Sequence, residues 1–218
     1  MANLPLALPG TLGEQLARIV DVEGKIPQAI DALAPVAGHD VILIAADDGR
    51  CAAQLTELGA HIVPIDRIDE PDVASASADV VVSLGTAFRG PDTADLVADT
   101  GAADRLLRPG GRLLVIHDYG RDDVSRLRGD LPEYGLWTRR DGPFLRGGFR
   151  IRVLHCWWTF DSLDAAREFL TRAFGAIGET VAAELHRPRL SYNVAIYHRA
   201  RPAAPERGSA SGRLQSPA

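Results

Sequence analysis

The chain has 218 residues, 46% hydrophobic and 24% charged, with a formal charge of -5 and a sequence pI near 5.7. That is enough chain for one sizeable core, and the balance excludes the disordered and membrane-embedded classes. The negative charge offers phosphate backbones and anionic lipid no general attraction, so neither nucleic acid nor membrane is an expected partner.

The opening MANLPLALPG has no basic residue before its apolar stretch and is interrupted by Pro5 and Pro9, so it does not read as a secretory signal. No apolar run is long enough to span a bilayer, and a cytoplasmic location is expected. Residues 1–35 form an N-terminal helical segment, in which Leu12, Leu16, Ile19 and Val20 recur at helical spacing and a second helix follows from Ile26 to Leu33. The run VILIA, residues 41–45, is continuously apolar, as in a strand buried on both faces of a parallel sheet. It ends in ADDG. A helix over 50–58, stopped by Gly59, leads to a second strand, HIVPID, at 61–66.

DVVVSL, 79–84, is the next strand, followed by a loop with Gly and Pro, a helix over 91–107 and a turn at Pro109, Gly110 and Gly111. RLLVIH, 112–117, is the fourth strand. The stretch to about Gly148 is expected to be loop with one short helix. Next come the strand FRIRVLHCWW, a helix capped by Asp161 or Ser162 and interrupted at Gly175, and a final strand SYNVAIYHR, 191–199. The tail from Arg201 to Ala218 lacks apolar periodicity and is expected to be disordered.

Cys51 and Cys156 stand in neither CxxC nor Cys/His spacing, so no disulfide framework or zinc site is implied. There is no GxSxG, HExxH or GxxxxGK[ST]. The stretch 138–152 holds five arginines with Phe144 and Phe149 between them; it reads as a solvated loop, with a lid or an anion grip as the other reading. His155 to Trp158 lie on a strand whose alternate residues face opposite ways, so packing accounts for them better than a shared site.

The order of these elements, and above all LLRPGGRLLVIHDY at 106–119, resembles the class I S-adenosylmethionine-dependent methyltransferases over residues 36–200. The resemblance implies an α/β, Rossmann-like three-layer sandwich with a mostly parallel sheet and an antiparallel last strand. It implies S-adenosylmethionine as cofactor, across the carboxyl ends of the first strands. Twelve residues separate Asp66 from Asp79, too few for the family's usual third strand. That edge strand is expected to be missing, leaving HIVPID as the edge, where Pro64 is tolerated.

Cofactor contacts are expected from Ala45, Ala46, Asp47, Gly49, Asp66 and Gly85. The family's GxGxG turn reads Ala45, Asp47, Gly49 here, and Leu43 stands where the family often has an acidic residue. Asp66, 17 residues beyond Gly49, matches the acidic side chain that accepts both ribose hydroxyls, a solvated turn Asp being the alternative. His117, Asp118 and Tyr119, after the fourth strand, are the catalytic candidates, with His117 first as a base. For His117 the alternative is a strand-end ring bonded to a neighbouring backbone carbonyl. The leading function is methyl transfer to a small-molecule substrate, with a homo-oligomer or a protein partner also open. The worn loop supports an inactive scaffold as the alternative. A nicotinamide-dependent oxidoreductase ranks third, because Asp47 and Asp48 would repel a pyrophosphate.

Overall fold

Every central strand alternates its apolar side chains between two hydrophobic clusters, which places one sheet between two helical layers. The computed structural model describes residues 8–44, 50–84, 87–89, 93–128 and 132–203. Among them, six strands form one sheet: β1 (Asp40–Ile44), β2 (His61–Ile65), β3 (Ala78–Ser83), β4 (Leu107–Asp118), β5 (Arg150–Thr159) and β6 (Arg189–Ala200). Their order is β2-β1-β3-β4-β6-β5. The first four run parallel, and β6 is antiparallel to both of its neighbours, β4 and β5. This is the Rossmann-like arrangement expected from the sequence. β2 is an edge among the described residues, and Pro64 pairs only with Leu43 of β1.

On one face Val41 and Leu43, Val80 and Val82, Leu114 and Ile116, and Val194 and Ile196 meet α1 (Thr11–Ile19), α2 (Lys25–Leu33), α3 (Arg50–Glu57), α5 (Asp123–Arg128) and α8 (Leu163–Glu184). On the other, Ile42 and Ile44, Val81, Leu113 and Val115, and Ala195 and Tyr197 meet α4 (Thr93–Leu106), α6 (Pro132–Thr138) and α7 (Pro143–Arg146). Burial of this kind is worth about 1.5–3 kcal/mol per large side chain, so the alternation fixes which way each strand-end residue faces. α1 and α2 join the first cluster, and Val20 bridges to Trp158 on β5. No helix among the described residues is long and apolar enough to cross a membrane.

Ser162 caps α8 by accepting the Ala165 N–H, and Gly175, at φ 55 and ψ -135, kinks that helix where the sequence interrupts it. The expected turn at Pro109 to Gly111 falls inside β4, which begins at Leu107: the register jumps from Leu107 opposite Ala78 to Arg112 opposite Val80, and Gly110 takes a φ of 82 in between. A Cβ on Gly111 would lie 2.8 Å from the Asp79 carbonyl oxygen, so the strand accepts only glycine there. The stretch before β5 contains three short helices, α5, α6 and α7, rather than one. Phe144 and Phe149 are buried beneath them, so the arginine-rich stretch is a packed layer with charged edges and not a solvated loop. Past residue 203, the tail lies outside the described residues.

Candidate functional site

The chain leaves β1 for α3 and returns through β2 on one side, then crosses to β3 on the other, so the order of the sheet reverses at β1. In open α/β sheets ligands bind at the carboxyl edge beside such a reversal. A cavity of about 510 Å³ lies there. Ile44, at the end of β1, and Ile68, Ala98 and Ala102 give it apolar walls, while Asp66, Asp69, Asp95, Asp99, Arg67 and Arg89 give it charge. This volume is in the range of small-molecule and cofactor sites.

Asp66 follows β2 directly and is exposed on the rim. Arg67 is closed by Asp69 in a two-point ion pair, Nε to Oδ1 at 3.0 Å and Nη2 to Oδ2 at 2.8 Å. The opposite wall follows β3. Phe88 is buried with φ 63, a backbone region that a bulky side chain enters only when its surroundings hold it. What holds it is Asp99 of α4, whose Oδ2 accepts the Phe88 N–H at 2.6 Å. Burial pushes the Asp99 carboxyl above its ordinary range, and the charges of Asp95 and Asp69 add to this.

The three catalytic candidates at the end of β4 do not share one environment. His117 faces the α4, α6 and α7 side, as the cavity does, and is fully buried. Its ring stacks on Trp137 at 4.5 Å between centroids and meets the edge of Phe144 at 5.8 Å. Neither ring nitrogen meets strict hydrogen-bond geometry among the described residues, although the Phe88 backbone lies close enough to act on the ring, as in the reading of a strand-end ring beside a neighbouring carbonyl. Burial lowers the His117 pKa to about 3, with the charge of Arg89 adding to the effect and the Phe88 backbone opposing it. The ring is therefore neutral at physiological pH.

Asp118 faces the opposite side, where it pairs with the buried Arg128 of α5 and accepts the Tyr192 hydroxyl at 2.6 Å. Burial pushes its carboxyl upward, against the pull of Arg128 and Tyr192, and the same burial, with Asp118 beside it, drives the Tyr192 phenol well up. Tyr119 is half-buried, with its N–H on the Asn193 carbonyl and the Arg121 guanidinium 5.8 Å over its ring.

Of the expected cofactor residues, Asp66 is thus placed on the cavity, and Ala45, Ala46, Asp47, Gly49 and Gly85 lie outside the described residues. Phe88, Arg89 and Asp99 also line the cavity, although sequence reasoning did not single them out. One signal was available for Asp99: it stands four residues after Asp95, on the same helix face. Among the described residues no three metal-ligating side chains converge.

No protein-family model matches the chain. It is 35% identical over 137 residues to uncharacterized methyltransferases of Mycobacterium tuberculosis and Mycobacterium bovis, a match covering 55% of this chain and 55% of each relative. The chain spans about half the length of the curated relatives it matches. Among solved structures it is similar, at 14% identity and a TM-score of 0.52, to a protein studied for the conversion of a disulfide bond into a thioacetal group in echinomycin biosynthesis. That alignment covers 81% of this chain and 80% of the other.

Proposed function

The chain is class I methyltransferase-like in sequence and fold, and from that premise we propose that it binds S-adenosylmethionine in the carboxyl-edge cavity and transfers its methyl group to a small-molecule acceptor. The observation that carries the proposal is the cavity itself, with Asp66 on its rim at the end of β2. A carboxylate there has two oxygens to accept the two ribose hydroxyls, and Ile44, Ile68, Ala98 and Ala102 offer a nucleobase an apolar slot. The residues present therefore fit the nucleoside.

Charge favours the same ligand. Four carboxylates and two guanidiniums line the cavity, and one of the guanidiniums is closed by Asp69. Such a lining repels a pyrophosphate and suits a ligand that carries a positive sulfonium and no phosphate. When bound, the cofactor supplies an activated methyl group. What remains to the chain is to hold donor and acceptor in line and to accept a proton where the acceptor must lose one.

In this proposal residues 45–49 and Gly85 flank the cofactor, and His117 is the candidate proton acceptor by its place at the end of β4, a role that requires ligand binding to relieve the burial that now lowers its pKa to about 3. Asp118 acts through Arg128 and Tyr192 as a positioning residue that fixes the end of β4, with Tyr119 beside it. The formed cavity supports catalysis over a scaffold role for the same fold. Isothermal titration with S-adenosylhomocysteine checks the reading: micromolar binding is expected, weakened at least tenfold in Asp66→Ala. Absence of binding to the wild type at millimolar ligand would overturn it.

A further inference from the structure

The two edges of the sheet are finished differently. β2 ends one side and carries Pro64, a residue that blunts an edge. β5 ends the other side, and only its second half is covered. There the Asp21 N–H donates to the Trp157 carbonyl at 3.1 Å, Val20 bridges to Trp158, and Lys25 Nζ donates to the His155 carbonyl at 3.1 Å. Those bonds also fix which groups point outward. In an antiparallel pair the N–H and C=O of one residue point the same way and neighbours alternate, so Ile151, Val153, His155 and Trp157 face away from β6, while Arg150, Arg152 and Leu154 face it. The backbone groups of Ile151 and Val153, and the His155 N–H, have no hydrogen-bond partner among the described residues. This open stretch has neither the proline nor the bulge that blunts many edges.

Side chains give the same stretch a charge of one sign. Alternation puts Arg150 and Arg152 on the face of Leu154, and Arg112 and His198 on the face of Leu114 and Ile196, all three apolar residues belonging to the first hydrophobic cluster. Arg150 stands directly beside His198 in register, Arg152 is the next residue of β5 on that face, and Arg112 lies on β4 diagonal to His198. The three arginines are exposed and His198 is half-buried. No ion pair of Arg112, Arg150 or Arg152 is found among the described residues. On the other face Ile151 packs against the second cluster, with Val153 half-exposed beside it.

We propose that the open half of β5 docks an extended acidic segment of a partner protein, which adds to the sheet as its next strand and alternates acidic with apolar residues. The backbone edge supplies the pairing, acidic side chains meet Arg150 and Arg152 on one face, and apolar ones cover Ile151 and Val153 on the other. Charge selects this occupant over a second copy of the chain. Two copies paired antiparallel bond only through outward-pointing residues, and in the registers that keep Ile151 and Val153 paired within 151–155, Arg152 falls opposite its own copy or diagonal to it. The chain's own ends lack the required pattern: residues 204–218 carry Glu206 against Arg207 and Arg213, and residues 1–7 carry no acidic side chain.

The test titrates the full chain with a capped heptapeptide that alternates glutamate and valine, beside the same peptide with glutamine for glutamate. The wild type is expected to bind the glutamate peptide at least tenfold more tightly than its glutamine analogue. Arg150→Ser combined with Arg152→Ser abolishes that preference. Val153→Pro lowers affinity for the glutamate peptide at least tenfold, because proline there takes away an outward N–H while the bonds to β6 run through Arg152 and Leu154. Both variants keep wild-type circular dichroism. Should Val153→Pro lose it, amide exchange of the wild type decides instead, since the bound peptide must slow the Val153 and His155 N–H at least tenfold. A wild type that binds both peptides alike, or neither, overturns the inference, and self-association of the double arginine variant would then assign Arg150 and Arg152 to guarding the edge. A folded Val153→Pro chain with undiminished affinity overturns it too, because the arginines would then bind acids without the edge. Tighter binding of an oligothymidylate of the same length than of the glutamate peptide overturns it in favour of nucleic acid.

Discussion

The carboxyl edge of the sheet has two halves built on opposite terms. Beside β1 and β2 the rim is open: Asp66 is exposed, and the cavity walls are small or aliphatic side chains. At the end of β4 the rim is closed. His117 is sealed by Trp137 and Phe144, and Asp118 is locked to Arg128 and Tyr192 with only 4% of its side chain exposed. The same strand-end position therefore lines an open cavity in one half and supplies structural ties in the other, and alternation along β4 decides which tie each residue makes. Adjacent residues of one motif, HDY, end on different faces with different tasks.

Breaking the closed half at its ion pair gives the largest effect. Arg128→Ala leaves the Asp118 carboxylate buried without its cation, and such losses run to about 3–5 kcal/mol. Urea denaturation is expected to show a fall of that size, largely recovered when Asp118→Leu and Arg128→Met are combined with Tyr192→Phe, since the pair and the hydroxyl that donates to it then become apolar together. A loss below about 1 kcal/mol would mean that this half is not held by its charges.

His117 sharpens the comparison through pH. Its pKa falls from 6.5 in the unfolded chain to about 3 in the folded one. Between those values the unfolded state takes up a proton that the folded state refuses, so this residue costs stability as pH falls through the window and nothing above it. Relative to His117→Leu, the wild type is expected to lose at most about 1.4 kcal/mol per pH unit from pH 6 downward. The comparison cancels the carboxyl groups common to both chains. A flat difference between pH 7 and pH 4 would show that the ring reaches solvent or a partner in the folded state.

How much of this was legible in the sequence follows from how local each cause is. The strands announced themselves because burial on both faces demands continuous apolar runs, and β1, β3 and the second half of β4 fall where those runs are. Pro64 marked the edge, and Ser162 and Gly175 marked the start and the break of α8, each through its own backbone chemistry. The helices α5, α6 and α7 were not separable, since 6, 7 and 4 residues hold too few turns for a helical period to show. Of the cavity lining, spacing brought out Asp66 at the end of β2, but nothing in a phenylalanine signals a positive φ. Partners 74 residues apart, as Tyr192 and Asp118 are, meet only through the order of the strands.

Between the halves stands the Phe88 turn, tied by a single carboxylate. Asp99→Ala removes the acceptor of the Phe88 N–H and leaves that half-buried donor unpaired, an expected loss of about 1–2 kcal/mol in thermal or urea unfolding. Because Phe88 and Arg89 line the cavity, affinity for S-adenosylhomocysteine should fall with it, whereas Asp99→Asn, which can still accept through its amide oxygen, should recover most of both. Equal damage from the two variants would show that charge rather than the hydrogen bond holds the turn.

The smallest expected effect is the most telling for the open half. Asp66 is exposed, caps no helix and sits on a rim whose neighbours are satisfied by each other, as Arg67 is by Asp69. A substitution at such a place ordinarily changes stability by less than about 0.5 kcal/mol. Asp66→Ala should therefore unfold at the wild-type denaturant midpoint while losing ligand affinity, a separation that Arg128→Ala cannot produce because it weakens the fold first. If Asp66→Ala instead lowers the midpoint as Asp99→Ala does, the carboxylate is a structural tie of the turn after β2, and the two halves of the edge are built alike.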